Sequence, residues 1–174
     1  KDEDEVRRRV EELLKRNKEL VEEIHKLSED ALRDLERINE EVNRISDEMR
    51  RRLDKLKKDG IPEEVLEDVV RRSLELIERL LRESRKVAED SLRTIKEMLK
   101  RSEDIVRRVL EEIDRKIKSE EAKKLKERVD RSLKESEKEV RENLERNRKL
   151  LDESRRNAEE NLRENKRVLD ELRR

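Results

Sequence analysis

The chain has 174 residues, 57% of them charged, with Lys+Arg and Asp+Glu both at 50. That balance leaves no net basic surface for nucleic acid or an anionic membrane. Cys, Phe, Tyr and Trp are absent, which excludes disulfides, thiol chemistry, base-stacking platforms and aromatic interface anchors.

No apolar run exceeds two residues, so neither a membrane-spanning segment nor a signal peptide is expected. The chain starts at Lys1 without Met, as a trimmed chain would, and it reads as soluble with no targeting signal. Charge at this density often accompanies disorder. Here Leu, Ile and Val supply 46 of 174 residues, about 26% and above the level of disordered chains. They recur at helical spacing. The fold class expected is all-α, an antiparallel up-down-up three-helix bundle forming one domain over 1–174.

Helix 1 is expected over about 4–58. Gly60 can take the left-handed conformation that closes a helix, and Pro62 suits a first helical turn. Glu63 and Glu64 favour the positive end of the next helix. DGIPEE therefore reads as a tight connection into helix 2, expected over about 62–117.

The second boundary has neither Gly nor Pro, and phase reveals it. At 100° per residue the apolar stripe of helix 2 centres near Ser84 and Ser102 and takes in Leu74, Ile77, Ile95 and Ile113. The stripe after residue 122, with Leu133, Val140, Leu144, Leu151 and Leu169, would lie roughly 180° away on an unbroken helix. One rod cannot bury both faces against one partner. The chain must turn near Ile117–Glu120, with Ser119 as N-cap, Glu120 and Glu121 behind it, and Lys116 and Lys118 at the preceding C-terminus. Helix 3 is expected over about 120–173. Short connections make neighbours antiparallel.

An eighteen-residue repeat runs through all three helices. LKESEKEVRENLERNRKL (133–150) aligns with LDESRRNAEENLRENKRV (151–168), and Ile77, Ile95 and Ile113 repeat at the same interval. Eighteen is one heptad plus one eleven-residue unit, whose opposite supercoil senses offset each other. An almost untwisted bundle is expected.

Within each stripe sit polar residues. Helix 1 carries Asn17, Ser28, Asn39 and Ser46. Helix 2 carries Ser73, Ser84, Ser91 and Ser102. Helix 3 carries Ser136, Asn143, Asn147, Ser154, Asn161 and Asn165. An amide buried without a partner costs roughly 2–7 kcal/mol, so these groups must satisfy one another if the chain folds at all. In an antiparallel pair, residues at one height have numbers of constant total, about 120 across the first connection and about 237 across the second. The totals sort the residues into four layers fed by all three helices: Asn17/Ser102/Ser136, Ser28/Ser91/Asn143/Asn147, Asn39/Ser84/Ser154 and Ser46/Ser73/Asn161/Asn165. A slipped register would strand amides against leucine, so such layers specify packing.

The straight repeats, the matched Asn/Ser layers, the Glu/Lys/Arg surface (VRRRVEELLKRNKELVEE) and the minimal connections DGIPEE and SEEAKKL together resemble de novo designed parametric helical bundles with buried hydrogen-bond networks. The resemblance spans the whole chain. It implies a scaffold, an oligomer subunit or a designed heterodimer partner. Natural spectrin-like three-helix repeats fit less well, because their tryptophans are missing.

No chemistry competes with that reading. His25 with Glu22 forms one Glu-x-x-His, whereas carboxylate di-metal bundles need two such motifs and two further inward glutamates. His25 lies at the stripe edge, on the line of Asn43. The serines have no base beside them, and one glycine makes no phosphate loop. No catalytic residues, metal ligands, cofactor or small-molecule substrate are expected, and the chain is not expected to be an enzyme. A monomer is favoured over self-association or a designed partner helix. The partner alternative is motivated by helix 2, which has 22 Ala/Val/Ile/Leu/Met residues over 61–117 against 13 in helix 3.

Overall fold

The computed structural model describes residues 2–117 and 120–174. It contains three long helices, α1 (Asp2–Lys58), α2 (Glu63–Lys116) and α3 (Glu120–Arg173). The fold is all-α and the helices pack pairwise as a bundle, up-down-up. Strong helix formers fill nearly every position. Exposed pairs one turn apart support the helices locally, among them Arg93–Asp90 at 2.7 Å, Arg107–Asp104 at 2.9 Å and Lys134–Asp130 at 3.2 Å. Each pair contributes only about 0.3–0.5 kcal/mol.

The end of α1 follows from Gly60, whose φ is +70°. Ile61 N–H donates to Leu56 C=O at 3.1 Å and Gly60 N–H to Lys57 C=O at 3.2 Å. This is the paired closure of a Schellman motif, and it satisfies carbonyls that the helix end leaves open. Pro62 C=O then accepts from Val65 N–H at 3.1 Å to begin α2. At the other end, Ile117 N–H still reaches Ile113 C=O at 3.0 Å, and α3 starts with Glu120 and Glu121. The expected roles of Lys118 and Ser119 lie outside the described residues.

The chain divides into two compact units. The first holds Lys1–Asp30 and Asp90–Arg146; the second holds Ala31–Glu89 and Asn147–Arg174. Each takes one stretch of every helix and has its own aliphatic core. In the first unit Val6, Val10, Val106, Ile113 and Val129 cluster, and Ile24, Ile95 and Val140 form another group. In the second, Met49, Leu53, Leu66 and Val70 cluster, with Val42, Ile77 and Ala158 as a further group. Burying one such aliphatic side chain contributes about 1.5–3 kcal/mol. These cores hold the stretches of helix together and set the heights at which the polar residues meet.

Candidate functional site

Asparagines and serines are buried among those aliphatic residues. In the first unit Asn17 is buried at 6% exposure. Its Nδ2 donates to Ser136 Oγ at 3.0 Å, and its Oδ1 accepts from the Ser102 hydroxyl. A single amide thus joins α1, α2 and α3, with donor and acceptor sides both used. Each bond contributes about 1 kcal/mol net, and the desolvation of the amide is offset on both sides. Ser28 is buried and has a polar partner. Asn143, also buried, accepts at Oδ1 from Arg146 Nη2 at 2.5 Å within its own helix. Ser91 is half-buried, and its Oγ finds no hydrogen-bond partner among the described residues.

The second unit is arranged differently. Asn157 Nδ2 donates to Asn39 Oδ1 at 2.6 Å and to Asn43 Oδ1 at 2.9 Å. Asn161 Nδ2 donates to Asn157 C=O at 2.8 Å and reaches Asn43 Oδ1 at 3.3 Å. Four amides form a ladder along the seam of α1 and α3. Asn39 therefore bonds across to Asn157 rather than to Ser84 or Ser154, and Asn161 enters the ladder rather than the Ser46/Ser73 level. Both lie at the edge of their stripes, so their amides point along the seam and not through the core axis. Asn165 is fully buried at 0% exposure; its Nδ2 donates to Ser73 Oγ at 3.2 Å, while its Oδ1 has no partner among the described residues. Ser46 and Ser84 are buried with unpartnered Oγ atoms, Ser154 is buried, and half-buried Asn147 keeps a polar partner.

Serine reaches only one atom beyond Cβ. Sharing a height with another serine does not bring two hydroxyls within 3.5 Å, whereas the longer asparagine spans the gap between helices. Every interhelical bond named above has an asparagine on at least one side.

Sequence reasoning passed over Asn157 and Asn43 as site residues. A usable signal existed. Helices α1 and α3 run parallel, so their facing residues keep a constant difference in number. Three bonded pairs do this, with a separation of 119 for Asn17–Ser136 and 118 for Asn39–Asn157 and for Asn43–Asn161, while Asn43–Asn157, at 114, reaches one turn along the seam. The antiparallel totals test only pairs that include α2.

In the first unit the same seam opens into a groove of about 880 Å³, lined by Leu14, Val21, Ser136 and Asn143 together with charged side chains. His25 lines it too, with its side chain 52% exposed and Nε2 3.8 Å from Glu29. Among the described residues no group of three or more His, Asp or Glu is placed to hold a metal ion, and no helix is long and apolar enough to cross a membrane. Exposed Arg44 is held above the ordinary guanidinium range, first by its hydrogen bond to Glu41 and then by the charges of Glu41 and Glu48. It is a cation at any working pH, so nothing titrates there.

No protein-family model and no curated protein matches the chain. Among solved structures it resembles a computationally designed three-helix bundle. The two are 17% identical, with a TM-score of 0.49 over 98% of this chain and 93% of that one.

Proposed function

We propose that the chain is a designed structural scaffold with no natural biochemical activity, in which asparagine-centred contacts fix helix register. One observation carries the reading: the buried Asn17 amide, bonded to Ser136 on one side and Ser102 on the other. A slip of one helical turn in either neighbouring helix brings Leu99 or Val106, or Leu133 or Val140, opposite that amide, which penalises the slipped packing more than the native bonds stabilise the correct one.

The test is Asn17→Leu with spin labels at the exposed positions Glu12 and Glu127. In the parent protein the label distance is expected to be single and narrow. In the variant the burial of leucine offsets part of the loss of the two bonds, so the protein is expected to stay folded at 25 °C while the distance distribution broadens. An equally narrow distribution in Asn17→Leu overturns the register role, and so does unfolding of the variant at 25 °C.

A second reading, an interaction module that docks further helices on α2, is favoured by Val65, Leu76, Leu92 and Ile105, all large aliphatic residues of α2 left exposed.

A further inference from the structure

The flank of α2 that turns toward α1 carries more apolar surface than α1 covers. In the unit of Ala31–Glu89 and Asn147–Arg174, Val65 is 45% exposed and Leu76 is 44% exposed. Facing residues of the antiparallel α1 and α2 have numbers totalling about 120, and the Asn17–Ser102 and Arg9–Glu112 pairs obey that rule. By the same rule Val65 stands level with Leu56 and Leu76 with Ile45, both only half-buried. Positions 65 and 76 are three helical turns apart, as are 45 and 56, so the two rungs share one flank.

Two charged rails border the rungs. Asp34, Glu41 and Glu48 recur at heptad spacing on α1, and Arg72, Arg79 and Lys86 recur at heptad spacing on α2. Asp34 is level with Lys86, Glu41 with Arg79 and Glu48 with Arg72. The rails do not pair across the flank. Asp34 and Glu41 are bonded to Arg37 and Arg44 of their own helix. Arg72, Arg79 and Lys86 are exposed and form no ion pair among the described residues. Apolar rungs between charged rails are the layout by which helices select a partner.

Charge chooses the occupant. A second copy, related by a twofold axis running along the helices, would set its α1 against this α2 at the same level, so acid meets base on both sides of the interface. A twofold across the helices and level with Glu41 would set α1 against α1, with Glu41 on its own copy and Asp34 on Glu48. We infer that this flank is a self-association face, occupied by a second copy of the chain about a twofold axis parallel to the helices. The inference rests on the interaction-module reading and names the partner that reading left open.

Light scattering across concentration tests it. The parent protein is expected to rise from the 21.3 kDa of one chain to twice that mass. Arg79→Glu and Glu41→Arg, each alone, should weaken association at least about a hundredfold, because each substitution acts twice in a symmetric dimer. An equimolar mixture of the two variants should recover the doubled mass, since every contact again joins opposite charges. Circular dichroism of each variant should keep the parent helicity. A constant one-chain mass up to millimolar concentration overturns the inference and leaves the scaffold reading standing. A dimer that survives both substitutions, or a mixture that stays monomeric while the parent dimerises, overturns the proposed axis. The scaffold reading fails separately, on the Asn17→Leu distances.

Discussion

The seam between α1 and α3 is handled in two ways. In the unit built on Asn17 it opens into a groove, and one amide inside has partners on both other helices. In the unit built on Asn165 four amides bridge the seam, while the most buried amide is bonded on one side only. Asn17 and Asn165 are both buried and differ in how many of their donors and acceptors are used. A fully used amide and a half-used one at similar burial should differ in what their truncation costs.

The largest effect is expected from the aliphatic cores, where the two units should agree. Ile95→Ala in the first and Ile77→Ala in the second each truncate a residue at 0% exposure. Each should lose about 3 kcal/mol in urea titration. A gap well beyond 1 kcal/mol between them would mean that the comparison is one of core packing and not of polar contacts.

The sharpest contrast comes next. Asn17→Ala removes two bonds and strands two hydroxyls, and should lose about 2 kcal/mol by thermal melt. Asn165→Ala removes one bond, strands only the Ser73 hydroxyl and takes away a buried carbonyl oxygen that already lacked a partner, so it should lose about 1 kcal/mol less than Asn17→Ala. Equal losses from the two would erase the distinction between used and half-used amides.

The ladder follows in size. Asn157→Ala takes away the hub that bonds Asn39 and Asn43. It should lose about 1 kcal/mol and raise amide hydrogen exchange on the α3 stretch around it. If exchange is unchanged there, the ladder does not help to hold α1 and α3 together.

The smallest effect concerns ion pairs between helices. Arg128 reaches Glu11 in the first unit and Arg50 reaches Glu164 in the second. All four side chains are 43–58% exposed. Alanine at either arginine should alter stability by less than about 0.5 kcal/mol, and that small difference should vanish in 1 M salt.

Much of this was legible before any coordinates. Gly60 and Pro62 mark the first connection, and the half-turn change of stripe phase after Ile117 marks the second, because both follow from backbone geometry and the helical period. The level shared by Asn17, Ser102 and Ser136 can likewise be read from their numbers. Two things could not be read that way. The ladder of Asn39, Asn43, Asn157 and Asn161 joins parallel helices, and the totals used for antiparallel pairs are blind to it. The unpartnered hydroxyls of Ser46, Ser84 and Ser91 depend on separations of a few tenths of an ångström and on χ1, which neither phase nor height encodes.

Gly60 has one more consequence. Its φ is +70°, and a Cβ built there would meet nothing within 4 Å. The strain of an L residue at this point would be wholly backbone in origin, with no crowding added. Mirror chemistry removes that strain. A chain assembled by chemical ligation with D-alanine at position 60 would find the turn to be its preferred conformation and would restrict only the unfolded chain. The inverted stereocentre should therefore make the protein more stable by about 0.5–1 kcal/mol.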